Sequence, residues 1–248
     1  RHHVNATICK AKANGNYMNG IFLPSMIEVE FGDYYQKSAE LLFNNGFKSF
    51  HIDFGDNKLI GRELECWDKV SFLKSLGPEM RLTGHIMSMS GNHKLSVERI
   101  TDRCLEEGFE IIYFHSRSFK KIKDFHKFKE KVFKNCNHIF GVVSELLNKR
   151  DDSLINFVAQ NSIRNLLQMG VPIGKGGQKF GWSAADRIDD FVKACPSLSN
   201  VELDGGLTFE VIKNLKKDKI DRFAGWSIVY DEDPSKVLSK ALAVNQII

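Results

Sequence analysis

The chain has 248 residues, 42% hydrophobic and 27% charged, enough apolar side chain for one compact domain of the larger kind or two small ones. Its 35 basic and 31 acidic residues leave a net charge of +4, a mixed surface rather than the concentrated basic footprint of a nucleic-acid binder. No apolar run reaches the roughly 18 residues a membrane span requires, and the N-terminus lacks the apolar core of a secretory signal. Five scattered cysteines (Cys9, Cys66, Cys104, Cys136, Cys195) form no CxxC pair and fit neither a disulfide framework nor a zinc knuckle. A soluble protein of the reducing cytoplasm is expected, with no membrane or nucleic-acid partner.

Residues 1–19, which open on Arg1-His2-His3 without an initiating Met, are set apart as an N-terminal extension. From Gly20 onward, short apolar runs of strand type alternate with amphipathic runs of helical period. "GIFLPS" (20–25) precedes "YYQKSAELLFNN", "SFHID" (49–53) precedes "ECWDKVSFLKSL", "RLTGHIM" (81–87) precedes "VERITDRCLEEG", and "IIYFH" (111–115) precedes "FHKFKEKVFKN". The second half continues with "HIFGVV" (138–143) and "DSLINFVAQ", "RNLLQM" (164–169) and "AADRIDDFVKA", "NVELD" (200–204) and "FEVIKNLKK", then "RFAGW" (222–226) and "PSKVLSKALAVN". Eight βα units in about 250 residues is the size and rhythm of a (β/α)8 barrel, here over residues 20–248. An open doubly wound sheet is the alternative that alternation alone leaves standing. The basic segment 117–134 reads as the buried face of the fourth helix with its lysines solvated, not as a membrane or nucleic-acid surface.

In a barrel, chemistry sits at the C-terminal ends of the strands. Standing there are Ser25, His51 with Asp53, His85, His115, Met169 and Asp204. His51 and Asp53, two apart on a strand, face the same side. With His85 and Asp204 they offer two nitrogen and two oxygen ligands to one divalent cation, Zn2+, Fe2+, Mn2+ or Co2+. Taken singly, each reads equally as a hydrogen-bonded core residue. Glycine turns after the last three strands, "IGKGGQKF" (173–180), "DGG" (204–206) and "AGW" (224–226), expose backbone amides where barrels bind phosphate.

The strings "FLPSMIEVEF", "FHIDFGDN", "GHIMS", "KGGQKFG", "VELDGG" and "FAGWSIV" occur in the order and spacing of the ribulose-phosphate 3-epimerases, which the chain resembles from about Ile21 to Tyr230. The resemblance implies a TIM barrel of the ribulose-phosphate-binding type and an isomerase that inverts C3 of a ketose phosphate. It implies one divalent metal held by His51, Asp53, His85 and Asp204, with Asp53 and Asp204 also serving as base and acid. It further implies substrate contacts from Ser25, His85, Gly174, Gly176, Gly177, Gly205, Gly206, Gly225 and Trp226, and a site wall that includes Met87 and Met169. A small-molecule sugar phosphate is the expected partner, in a homo-oligomer.

The chain also departs from that family. Gly55 stands where the family has Met, Trp226 where it has Ser, Lys175 at an aromatic position, and the fifth strand ends in "SELL" instead of Asn-Pro. The DxKxxD signature of the decarboxylase relatives is missing from "HIDFGDN". The departures surround the sugar and phosphate, so a hexulose or heptulose phosphate is the alternative substrate, and a non-catalytic phosphate-binding barrel the second alternative.

Overall fold

The computed structural model describes residues 20–119, 122–133, 139–146, 150–215 and 217–248. Residues 1–19, read as an extension, lie outside the described residues, as do Cys9 and Cys136. Eight strands are present among the described residues: β1 (Ile21–Pro24), β2 (Ser49–Gly55), β3 (Arg81–Met87), β4 (Ile111–His115), β5 (Phe140–Ser144), β6 (Asn165–Met169), β7 (Asn200–Asp204) and β8 (Arg222–Gly225). They pair in the order β1-β8-β7-β6-β5-β4-β3-β2, each ladder parallel. Between β1 and β2 the barrel closes through the single parallel bridge Ser25–His51. The expected barrel is therefore present, nearly closed, in place of an open sheet.

Each strand is followed by a helix: α1 (Asp33–Asn44), α2 (Trp67–Ser75), α3 (Val97–Glu106), α4 (Ile122–Phe133), α5 (Asp152–Gln160), α6 (Ser183–Ala194), α7 (Phe209–Asn214) and α8 (Pro234–Asn245). Short polar side chains start several of them by accepting an otherwise orphaned backbone N–H. Asp151 accepts from Leu154, Thr208 from Val211, and Asp233 from Ser235 just ahead of Pro234 at the first helical position. The inner face of α1 buries Tyr35, Ser38, Ala39, Leu42 and Phe43, the three-and-four spacing of one helical stripe.

Several elements differ at their ends from the sequence reading. β2 runs on to Gly55, because its ladder with β3 continues to the pair Gly55–Met87, and Gly55 also exchanges two backbone bonds with Leu64, at 3.2 and 2.9 Å. The seventh helix stops at Asn214 and does not reach residue 217, since Leu215 turns to extended backbone and buries its side chain. A helical turn at Asn57–Ile60, not foreseen, caps the end of β2.

The core lies mainly between barrel and helices. Phe114 on the outer face of β4 meets Phe119, Phe125 and Phe128 with ring centroids 5.9, 5.7 and 5.7 Å apart. Phe125 and Phe128 are buried while Lys127 is exposed, so these residues of the basic segment form a core face as read. Removing the fully buried Phe114 side chain leaves a void its rigid neighbours cannot fill. Phe114→Ala should lower unfolding free energy by about 3–5 kcal/mol in urea titrations, against about 0.5 kcal/mol for Leu242→Ala, which is 42% exposed on α8; equal losses would contradict this placement of the core.

Candidate metal centre and active site

The C-terminal ends of the strands open into a cavity of about 740 Å³. Because residues two apart on a strand share a face, β2 turns His51 and Asp53 inward, and β7 does the same with Glu202 and Asp204. Tyr113 and His115 follow that rule on β4. The barrel interior consequently carries a polar column. Glu202, with no solvent exposure, lies 2.6 Å from His51 Nδ1 and accepts from the Tyr113 hydroxyl at 3.3 Å. The column continues downward as Asn200 donates to the Tyr113 oxygen at 2.9 Å, Arg222 donates to Asn200 at 3.0 Å, and Arg222 pairs with Glu110 at 2.8 Å.

A carboxylate on Nδ1 holds a His51 proton there and leaves Nε2 as the nitrogen turned toward the cavity. That atom is buried, 3.5 Å from Asp53 Oδ1, and has no hydrogen-bond partner. Asp53 Oδ1 is also 3.0 Å from His85 Nδ1, and Asp53 Oδ2 accepts from Ser25 Oγ at 2.8 Å. One ligand atom each from His51, Asp53, His85 and Asp204 lie within 4.8 Å of one another. Two imidazoles, two carboxylates and an orphaned buried nitrogen fit a borderline divalent ion.

The electrostatics agree. Burial opposes charge on His51, but Asp53 and Glu202 outweigh it and raise its pKa well above the ordinary imidazole value. Burial would likewise raise Asp53, yet His51 and His85 hold it far below the usual carboxylate range. Asp204 is pushed up to about 6, first by burial and then by Asp53 against the pull of the histidines. His115 is pushed down to about 4 by burial, despite Glu145. A cation among these groups would offset the burial that holds Asp204 up.

The remaining residues singled out from the sequence gather here too. Ser25, Met87, Met169 and Trp226 line the cavity, as do Gly174, Gly176, Gly177, Gly205, Gly206 and Gly225. His51 lies beneath the floor at 1% exposure. Gly206 has φ +70°, and a Cβ there would stand 2.7 Å from the Phe180 Cα, so only glycine allows this close backbone crossing. The Gly176 amide already donates to Glu28 at 2.9 Å. Trp226 is buried, with its indole nitrogen unpartnered. Gly55 proves to be a space for a neighbour: a Cβ would meet Ile60 Cδ1 at 2.4 Å, so Ile60 from the helical turn fills the position.

Sequence reasoning missed Glu202, Glu145 and the rim pair of Glu28 and Arg62, whose closest contact is 2.9 Å. The two-residue strand rule that paired His51 with Asp53 also places Glu202 beneath Asp204. Glu28 and Arg62 come from loops, where no periodicity announces them.

The model of the ribulose-phosphate 3 epimerase family matches residues 21–230. No curated protein is significantly similar in sequence. Among solved structures, the chain resembles KGPDC from Streptococcus mutans with a TM-score of 0.59 at 9% identity, over 92% of this chain and 98% of that one. Phosphoribosyl anthranilate isomerase from Thermus thermophilus gives 0.58 at 13%, over 92% and 100%. Mycobacterium tuberculosis tryptophan synthase gives 0.63 at 8%, over 93% of each chain. Identities this low speak for the barrel fold alone, whereas the family match spans most of the sequence and all four residues of the ligand cluster: the chain belongs to the ribulose-phosphate 3 epimerase family.

Proposed function

We propose that this protein is a metal-dependent 3-epimerase of a ketose phosphate of the ribulose 5-phosphate and xylulose 5-phosphate type. The observation that carries the reading is the convergence of two aspartates and two histidines at the mouth of a barrel of this family. A divalent ion held by His51, Asp53, His85 and Asp204 would supply Lewis-acid stabilisation of the negative charge that develops when the carbon beside a ketone loses its proton. Asp53 and Asp204 come from separate strands, β2 and β7, and so approach a bound ketose from different sides. One removes the C3 proton from one face, and the other returns a proton to the opposite face. Ser25 fixes Asp53 through its hydroxyl. Met87 and Met169, both buried in the wall, exclude water that would compete for the exchanging proton. Backbone amides of Gly177, Gly206, Gly225 and Trp226, in the lining of the cavity, would receive the phosphate.

The changed wall supports a weaker grip on ribulose 5-phosphate, or a hexulose or heptulose phosphate as the alternative substrate. Trp226 stands where a serine hydroxyl would grip the phosphate, a bond of about 1.5–3 kcal/mol, and Ile60 fills the space above Gly55.

Purified protein should carry about one Zn2+, Fe2+, Mn2+ or Co2+ per chain by elemental analysis, and His85→Ala should lose it; equal metal in both would remove His85 from the centre. In D2O, turnover of a panel of pentulose, hexulose and heptulose phosphates should place deuterium at the inverted carbon, and Asp53→Asn or Asp204→Asn should abolish it. Product retaining its original hydrogen would point to a different route. Trp226→Ser should raise kcat/KM for ribulose 5-phosphate about tenfold, the low end of what one such bond is worth; if the wild type already uses that substrate efficiently and the variant gains nothing, the tryptophan is neutral.

A further inference from the structure

Beyond the ligand cluster, the inner wall continues through His115 on β4 to the end of β5. His85 Nε2 lies 2.9 Å from His115 Nε2, and His115 Nδ1 lies 2.8 Å from Glu145 Oε1. The same carboxyl oxygen is 2.6 Å from Arg117 Nε. None of these partners is needed to complete the quartet. The carboxylate stands at the fifth-strand end, where the chain leaves the family's Asn-Pro pattern.

We propose that Glu145 and His115 are positioning residues that lock His85 in the tautomer carrying its proton on Nε2, so that the Nδ1 lone pair faces Asp53. The inference rests on the metal-centre reading for its consequence, and on hydrogen-bond chemistry for its logic. Glu145, paired with Arg117, is a carboxylate and can only accept, so His115 must carry a proton on Nδ1. His115 is fully buried, which favours the neutral ring with one proton, and its Nε2 is then an acceptor. His85 Nε2 must therefore donate. With Nε2 donating, Nδ1, 3.0 Å from Asp53 Oδ1, is the His85 nitrogen through which an ion would be held. The arrangement parallels Glu202 behind His51, so each histidine of the quartet has a carboxylate dictating which nitrogen is bare: Glu202 directly, Glu145 through a second imidazole. A metal-bound histidine needs such a partner to hold its tautomer and ring orientation.

Zinc affinity, measured by competition with a chelator, and 15N NMR of the histidine rings test this together in wild type, Glu145→Leu, Glu145→Gln and His115→Phe. In the zinc-loaded wild type, His85 should be protonated only on Nε2 and His115 only on Nδ1. Glu145→Leu and His115→Phe should weaken zinc binding by about 10- to 100-fold. Glu145→Gln, whose amide oxygen still accepts from Nδ1, should stay within a few-fold of wild type. Matching melting temperatures of the metal-free proteins would separate this effect from loss of fold. Zinc affinities within about twofold across all variants, or a proton on His85 Nδ1 in the zinc-loaded wild type, would overturn the proposal. A wild type that takes up no zinc or other divalent ion would sink the metal-centre reading instead, and the relay would then be judged in the metal-free protein: an Nδ1 proton on His115 that is lost as a single tautomer in Glu145→Leu sustains it, and one that persists unchanged overturns it.

Discussion

A carboxylate with no access to water must be neutralised or fully hydrogen-bonded, and Glu202 imposes that requirement on the polar column inside the barrel. Its two oxygens take His51 and Tyr113. Tyr113 is then held by Asn200, and Asn200 by Arg222, whose own buried charge needs Glu110. Part of what would be Val, Ile or Leu layers in an ordinary barrel is here one connected network, packed beside Ile111, Val143 and Leu167. Such a network is stabilising only when every member is satisfied, and the one nitrogen it leaves over, His51 Nε2, is the one that opens toward the ligand cluster. The interior thus aims the chemistry as well as filling the barrel.

Around that fixed centre the rim is assembled from distant parts of the chain. Arg62 and Glu28 form a bidentate pair, and Glu28 also takes the Gly176 amide, so loops after β1, β2 and β6 share one carboxylate. Gln178 closes the β6 loop on itself through the Pro172 and Lys175 carbonyls. These exposed pairs add little to stability; their effect is to set the shape of the opening. Ile60 takes part in the same change, touching both Gly55 and Gly174. Gly55 and the β6 loop that carries Lys175, where the chain departs from the family, are therefore joined through Ile60 at one rim.

The fold was legible because buried parallel strands read as apolar runs and the helices covering them as amphipathic ones; β3, β4 and β7 begin and end where the pattern changes. The quartet was legible for a narrower reason. His51 and Asp53 break an apolar strand at the two-residue period, and strand ends are where barrels act. Glu202 obeys the same period but was passed over, since a single Glu in "VELD" looks like an ordinary polar strand position until its partner His51, 151 residues away, is known. Glu145 and Arg62 carry no periodic signal. Their partners are set by which loops the barrel brings together, and that is a property of closure rather than of local sequence.

Closure itself has an uneven strength. Other neighbouring strands are joined by ladders, whereas β1 and β2 meet through the Ser25–His51 bridge, reinforced by the Ser25 hydroxyl on Asp53. Both contacts that fasten this seam belong to the ligand cluster or its immediate neighbour. An ion held by the quartet would tie β2 and β3 to β7 across the barrel mouth, beside this seam, so that ion binding and closure would be linked. The β1–β2 seam, with one bridge where other neighbouring strands share a ladder, is the part of the hoop with the fewest backbone bonds to hold it.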